Sequence, residues 1–377
     1  MRRLLLHVQT LLGIGHLRRA AAVARAAADA GFEVTVASGG MPVPDLDIGG
    51  ARLFQLPAVR TLDSDFRVLV DAEGRPIDDG WRRLRRDTTL ELFGKIRPDV
   101  LVTELFPFGR RQLRFELLPL LETARGVAHP PVIVSSMRDI LVTKPRADRN
   151  REIVDTLHAY YDRVLVHGDR RVITLASTFP DHHRIAPMVE YTGYVMTPWH
   201  AGNGEGRGEI VVSAGGGAVG GAIMTRVMQL RSALPSGGRP WRFVTGPHMP
   251  EEFASRLRPA PGVTVERSRA DLPALVANAD LSISQAGYNT LVEVLAAGTP
   301  AVVIPFEGGV ETEQRLRADL LAERGALEVV AHDVLAAGTL GAAMERALAR
   351  GRRHPGGVHL DGAVRTAGIL HRLADAR

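Results

Sequence analysis

The stretch from Ala279 to Gln314 leaves few options for the fold of this chain. Leu281-Ser282-Ile283-Ser284 is a short apolar run that ends in the polar turn Gln285-Ala286-Gly287, which suits a buried strand. Asn289 to Ala297 carries apolar residues at helical spacing, and Gly298 stands where a helix C-terminal glycine belongs. Pro300 follows, then a second buried strand, Ala301-Val302-Val303-Ile304, closed by Pro305. A strand-helix-strand unit of this kind makes its two strands parallel and turns the helix N-terminus toward the ligand side of the sheet. One acid, Glu293, interrupts the apolar helix, and the polar cluster Glu311-Thr312-Glu313-Gln314 follows the second strand. A small polar ligand between them accounts for both.

The same alternation runs through the chain. Leu4–Val8 reads as a strand, followed by a glycine-bearing turn with Gly13, Gly15 and His16. A helix of mostly alanine from Leu17 to Ala30 ends at Gly31, and a strand from Phe32 to Ala37 completes a βαβ opening. Further strands are expected at Leu53–Leu56, Val100–Thr103, Pro131–Ser136 and Arg163–Val166, with an amphipathic helix over Trp81–Ile96. Positions 60 to 80 are polar and punctuated by Pro and Gly, as in a loop. The pattern breaks near Thr197-Pro198-Trp199, and Gly202 to Gly208 reads as a glycine-rich linker. It then restarts with strands at Glu209–Ser213, Trp241–Thr245, Val263–Glu266, Leu281–Ser284 and Ala301–Ile304. The expectation is an α/β protein of two doubly wound, Rossmann-like domains facing one another across a cleft: residues 1–198, then 208–357, with a C-terminal helix in 358–377 crossing back to the first domain.

With 377 residues, the chain is long enough for two such cores. No run approaches the roughly 18 to 20 apolar residues of a membrane span. Zero cysteines exclude disulfides and thiolate metal sites, and fit a cytoplasmic protein. Lys+Arg of 47 against Asp+Glu of 42 gives a net charge of +5. The surplus is nearly all arginine, clustered at Arg82, Arg83, Arg85, Arg86 and at Arg110, Arg111, Arg114. A solvated surface is the first reading of these clusters. Attraction of an anionic acceptor, a phosphate or an acidic membrane surface is the alternative. No stacking-aromatic array accompanies the charge, so nucleic acid is not expected as a partner.

Two loops carry candidate chemistry. Ser213-Ala214-Gly215-Gly216-Gly217-Ala218-Val219-Gly220 lies between a strand and a helix, where backbone N–H groups and the helix N-terminus favour an anion. Its G-x-G-x-x-G match raises a nicotinamide dinucleotide. Neither domain, however, has the ribose-binding acid that this reading needs: the following strands end in Val244-Thr245-Gly246 and Ala37-Ser38-Gly39. A diphosphate fits better. In the first domain His16 follows G-x-G in the first turn of a helix, where the macrodipole disfavours its cationic form and keeps it a neutral base. Glu104 and Asp139 follow predicted first-domain strands and are rival bases or acceptor-hydroxyl binders, with a salt bridge or helix cap as the alternative for each. No HExxH, Asp-x-Asp or G-x-S-x-G motif is present, so no metal is expected.

The order Ser284, Gly287, Glu293, Ala297-Gly298-Thr299-Pro300, Pro305-Phe306, Glu313-Gln314 resembles the donor-sugar signature of MurG-like, family 28 glycosyltransferases of GT-B fold. That resemblance implies a UDP-sugar co-substrate, of N-acetylglucosamine type, and no other cofactor. It places the donor at Gly15, Ser213, Gly215, Gly216, Gly217, Arg269, Leu272, Gln285, Ala286, Gly287, Asn289, Thr290, Glu293, Glu313 and Gln314. Within this set the Glu293 carboxylate takes the ribose hydroxyls, the Glu313-Gln314 pair takes the sugar, and backbone near Arg269 to Leu272 reads the base. Asp271 is alternatively a plain helix N-cap before Leu272-Pro273. Thr103 to Arg110 and Ser136 to Asp139 resemble a bacterial branch of predicted glycosyltransferases. The implied activity is inverting, metal-independent transfer to an unidentified hydroxyl acceptor. The arginine surplus leaves an anionic or lipid-linked acceptor, and a weak peripheral membrane contact, open. Gly13-Ile14-Gly15-His16-Leu17-Arg18-Arg19 also resembles the G-x-G-H-x-x-R of UDP-sugar hydrolases. A hydrolase or epimerase on the same scaffold, or a non-catalytic nucleotide-sugar-binding subunit, is therefore the competing expectation.

Overall fold

The computed structural model describes all residues except 12, 45, 63–67, 142–145, 198, 200–201, 215–219, 247–248, 308–311 and 355–356. The chain divides into two compact units, Met1–Val195 with His359–Arg377, and Met196–Val358.

The first unit is built on a parallel sheet. Its elements in chain order are β1 (Arg3–Val8), α1 (Gly15–Asp29), β2 (Glu33–Ser38), β3 (Arg52–Gln55), β4 (Arg60–Thr61), β5 (Leu69–Val70), α2 (Asp79–Ile96), β6 (Val100–Glu104), α3 (Arg114–Gly126), β7 (Val132–Arg138), α4 (Ala147–Tyr160), β8 (Arg163–His167), α5 (His182–Ile185) and β9 (Val189–Tyr191). The sheet order is β3-β2-β1-β6-β7-β8-β9, so the winding reverses between β1 and β6. Both faces are covered, which is why the strands read as unbroken apolar runs. Leu4, Leu6, Val8, Val100, Val102, Val132, Val134 and Leu165 share one core with the buried alanines of α1. Leu5, Leu101, Ile133 and Val164 point the other way, into a core with Phe93, Leu117 and Leu157. The segment expected to be a plain loop over 60–80 carries the small antiparallel pair β4–β5.

Arg85 departs from the solvated-surface reading of its cluster. Arg82 and Arg83 are exposed, but Arg85 falls on the buried stripe of α2 with Thr89, Leu92 and Phe93. Its Nε lies 2.6 Å from Glu116 Oε2, and its Nη2 donates to Gln9 Oε1 at 2.9 Å and to Glu116 Oε1 at 3.0 Å. Nη1 donates to Gly39 O at 3.1 Å and also to Pro57 O. A β-carbon at Gly39 would collide with this guanidinium, so glycine there makes room for the charge. One fully enclosed ion pair thereby ties α2 and α3 to the ends of β1 and β2.

The second unit holds β10 (Ile210–Ser213), α6 (Gly221–Leu230), β11 (Trp241–Val244), α7 (Glu251–Ala254), β12 (Val263–Glu266), α8 (Leu272–Asn278), β13 (Leu281–Gln285), α9 (Tyr288–Ala297), β14 (Ala301–Ile304), α10 (Glu313–Glu323), β15 (Glu328–Val329) and α11 (Ala337–Arg350). All six strands of its sheet are parallel, in the order β12-β11-β10-β13-β14-β15, with the reversal between β10 and β13. Gly298 ends α9 at φ 64°, the left-handed cap that its position in the sequence predicts. The glycine-rich segment expected to be a linker is folded onto this unit. Glu205 pairs with Arg269 at 2.7 Å and Arg242 at 2.9 Å, and Gly206, at φ 97°, lies so close to Leu275 O that no side chain fits. The final helix, α12 (Gly362–Asp375), packs against α1 in the first unit.

Removing one member of a buried ion pair leaves the other uncompensated, at a cost of about 3–5 kcal/mol. Arg85→Met is therefore expected to shift the denaturant midpoint of the first unit strongly downward, and Arg85→Met/Glu116→Leu to recover much of the loss. A midpoint unchanged in the single variant would show that the pair does not hold these helices.

Candidate active site

In an open parallel sheet the strands' carboxyl ends beside the reversal of winding are where ligands bind. In the first unit that point lies between the β1–α1 turn and the end of β6. It holds His16, the second residue of α1, and Glu104, the last residue of β6. His16 Nδ1 lies 2.9 Å from Glu104 Oε1, and Arg19 Nη2 contacts the same carboxylate oxygen, 3.0 Å from Nδ1. Nδ1 faces an anion and so carries the ring proton, which it donates to Glu104; Arg19 then also donates to the carboxylate. That leaves the Nε2 lone pair of a neutral imidazole as the candidate base.

Burial and the surrounding charges keep the ring neutral. Burial is the main cause, followed by the Arg110 charge, with Arg19 and Arg138 adding to it against the Glu104 hydrogen bond; the His16 pKa is drawn down to about 3. Burial alone would raise the Glu104 carboxyl, but Arg19 and the hydrogen bond from His16 outweigh it and hold it far below the usual range. Burial, Arg138 and Arg19 bring the Arg110 guanidinium down to about 10. Arg110 owes its position to a sharp turn: Leu105 at φ 68° and Arg110 at φ 59° are left-handed, and Arg110 Nε donates to Gln9 O at 3.0 Å.

Behind Glu104 runs a buried polar series that the sequence reading did not single out. Ser136 Oγ is 2.5 Å from Glu104 Oε2 and 2.9 Å from His167 Nε2, and His167 Nδ1 is 2.9 Å from Thr192 Oγ1. The available signal was that β6, β7 and β8, all apolar within, each end on polar residues. Asp139 lies close by. It is buried one residue beyond β7, under Gly168, where a β-carbon would strike the Asp139 side chain.

In the second unit the corresponding point lies between β10 and β13. Ser213 and Ser284 stand opposite one another in register, and their buried hydroxyls have no hydrogen-bond partner among the described residues. Gln285 and Ala286 are buried at the end of β13, and Gly287 is the N-cap of α9. Asn289, Thr290 and Glu293 are half-buried in its first turns. Gln314, in the first turn of α10, accepts from Gln285 Nε2 at 3.3 Å and from Phe306 N at 3.1 Å, so the polar pair after the Pro-Phe turn is drawn to the β13–α9 turn. Glu313 is buried beside it. The Arg269 guanidinium is occupied by Glu205, Glu266 and Asp271, and Leu272 is the first residue of α8. Asp271 occupies the N-cap position of α8, but its carboxylate binds Arg269 rather than capping the helix. Gly215, Gly216 and Gly217 lie outside the described residues, and Gly15 is the exposed first residue of α1.

These two doubly wound units are those of the GT-B fold. Solved structures similar across the chain include Acinetobacter baumannii MurG, at TM-score 0.60 and 16% identity over 98% of this chain and 99% of that one. The spinosyn rhamnosyltransferase SpnG complexed with thymidine diphosphate gives TM-score 0.61 and 16% identity over 100% and 96%. The profile of the Glycosyltransferase family 28 C-terminal domain matches residues 244–354. Among curated relatives, the UDP-N-acetylglucosamine--N-acetylmuramyl-(pentapeptide) pyrophosphoryl-undecaprenol N-acetylglucosamine transferase of Natranaerobius thermophilus is 47% identical over 66 residues, 18% of each chain. The enzyme of that name from Parasynechococcus marenigrum is 35% identical over 129 residues, 33% of this chain and 34% of that one. The alignments thus span a fifth to a third of these relatives' length. Residues 244–354 thus match the C-terminal domain of glycosyltransferase family 28, and the chain is similar to MurG enzymes in that part of its sequence and in its fold.

Acid sensitivity follows from the site. His167 is also drawn down to about 3, by burial and then Arg19, with Glu104 opposing. Below the ordinary histidine pKa of about 6.5 the unfolded chain takes up protons that folded His16 and His167 refuse. Stability present above that pH is then lost toward about 3, by about 1.4 kcal/mol per pH unit for each ring. The lowered Glu104 pKa acts in the same direction below its ordinary range. Melting temperature is expected to fall as pH drops from about 6.5 to about 4, and less steeply in His167→Gln. Identical slopes would place the acid sensitivity elsewhere.

Proposed function

We propose that this protein is an inverting, metal-independent glycosyltransferase that moves a sugar of N-acetylglucosamine type from a UDP-sugar to a hydroxyl acceptor. The observation that carries the proposal is the His16–Glu104 pair at the switch point of the first unit, in a chain whose second unit is a family 28 C-terminal domain. His16 Nε2 takes the proton of the acceptor hydroxyl as the oxygen attacks the anomeric carbon. Glu104 holds the ring through Nδ1 and balances the imidazolium that forms. Attack from the face opposite the departing diphosphate inverts the centre. The α9 N-terminus and the glycine turn after β10 stabilise the diphosphate as it leaves, and Glu293 holds the ribose hydroxyls. These dipoles supply the positive end that a metal would otherwise provide.

The acceptor class follows from charge. Arg19, Arg110 and Arg138 act on His16 against the single carboxylate of Glu104. An acceptor carrying a phosphate or diphosphate offsets Arg110 and Arg138, and in doing so raises the basicity of His16 toward working pH. Both relatives named above have, by their names, a pyrophosphoryl-undecaprenol acceptor, which fits this reading. No helix among the described residues is long and apolar enough to cross a membrane. A cytoplasmic protein that meets a lipid-linked acceptor at the membrane surface is the arrangement proposed.

The test is UDP release from a panel of UDP-sugars, with and without cell extract or a lipid-linked acceptor. Release that depends on acceptor, with His16→Ala losing about a hundredfold to ten-thousandfold in kcat at unchanged donor affinity, is expected. Glu293→Ala should instead lose UDP affinity by calorimetry while keeping its melting profile. Fast release without acceptor that vanishes in His16→Ala would make the protein a hydrolase. Binding of UDP with no release under any condition would make it a binding subunit.

A further inference from the structure

His167 is a buried histidine for which transfer chemistry has no direct use. It is fully enclosed, two strands from Glu104 with β7 between them, and its two ring nitrogens are both engaged by hydroxyls. The placement follows from the sheet. Glu104 is opposite Ser136 in the β6–β7 register, and Arg138 is opposite His167 in the β7–β8 register. Side chains alternate along a strand, so these residues share the face that carries Val100, Val102, Val134 and Leu165, the face covered by α1. The apolar face therefore turns polar at the carboxyl ends of three adjacent strands, beside the helix that bears His16 and Arg19.

We propose that Ser136, His167 and Thr192 form a directed hydrogen-bond relay that orients the Glu104 carboxylate toward His16, making them positioning residues for the base. The direction follows from counting protons. Ser136 has one, and its contact with the ionised Glu104 Oε2, at 2.5 Å, is the stronger claim on it. Ser136 Oγ must then accept from His167 Nε2, which puts the His167 proton on Nε2 and leaves Nδ1 an acceptor for the Thr192 hydroxyl at 2.9 Å. The opposite arrangement has Thr192 donating to Gly193 O at 2.8 Å, His167 protonated on Nδ1 and Ser136 donating to His167. It withdraws the serine proton from Glu104 and leaves Oε2 without that donor. The charge on Glu104 thus selects the first arrangement. Each donor in the series is polarised by the next, and all point at the carboxylate. Glu104 is fixed from two sides: Oε1 by Arg19 and His16, Oε2 by Ser136. The burial that keeps His167 neutral suits it to this part, since a cationic ring would donate from both nitrogens and force Thr192 to turn away.

The inference rests on His16 as the base, and its test separates the two. The neutral tautomer of His16 is read from its ring ¹⁵N shifts, and turnover is read as UDP release. In the wild type His16 should show one tautomer, protonated on Nδ1. Ser136→Ala should give a mixed or altered His16 signal, with kcat down about ten- to a hundredfold, the worth of one hydrogen bond to a charged group, and donor KM unchanged. Ser136→Thr, which retains the hydroxyl, should recover most of both. His167→Gln, which can still donate to Ser136, should lose less than His167→Leu. A wild-type His16 signal and kcat in folded Ser136→Ala would overturn the relay. So would equal losses in Ser136→Thr and Ser136→Ala. An altered His16 signal with unchanged turnover supports the relay and removes His16 from the role of base.

Discussion

A parallel sheet with helices on both faces confines its polar chemistry to the strands' carboxyl ends, and both units of this chain obey that constraint. Within the central strands the apolar side chains alternate between two cores, as Leu4, Leu5 and Leu6 show. Polar residues enter where the ladder stops: Glu104, Ser136, Arg138 and His167 in the first sheet, Ser213, Ser284 and Gln285 in the second. In each sheet the winding reverses beside those ends.

Burying charge there demands compensation, and the first unit meets the demand twice in different ways. Arg85 and Glu116 are enclosed, and the Arg85 guanidinium also donates to carbonyls and to Gln9, an arrangement that joins elements. Glu104 is equally buried, but its partners include an imidazole whose second nitrogen makes no hydrogen bond among the described residues. Burial and the nearby Arg110, Arg19 and Arg138 charges keep that ring neutral against the Glu104 hydrogen bond. The second unit shows the converse around β11 and the segment after β12, where Arg242 and Arg269 are surrounded by Glu205, Glu209, Glu266 and Asp271. Those arginines act as a brace that also gathers the preceding glycine-rich segment into the unit.

Much of this was legible in the residues. Apolar runs punctuated by glycine and proline located most strands to within a residue or two, and the turn Gln285-Ala286-Gly287 and the cap Gly298 were read directly. Local signals suffice for such elements because the interactions that make them span only a few residues. His16 was visible after G-x-G in the first turn of a helix and Glu104 as an acid after a strand, but as rivals. Their cooperation joins positions 88 apart, and a register between β1 and β6 brings them together. Arg85 illustrates the opposite limit, since composition assigned a run of arginines to the surface while helical periodicity turned one of the four inward.

What the sequence by itself determined, then, is the class of fold, the family 28 resemblance and the positions where polar residues interrupt apolar strands. These follow from period, turn chemistry and spacing, which are properties of short segments. Only the tertiary structure decided which of those residues act on one another. It paired Glu104 with His16, buried Asp139 under Gly168, engaged the Arg269 side chain with acids, and brought Ser136, His167 and Thr192 into line behind the carboxylate. The physical reason is that hydrogen bonds and ion pairs act over a few ångströms, and strand order and register, rather than distance along the chain, determine which side chains come that close.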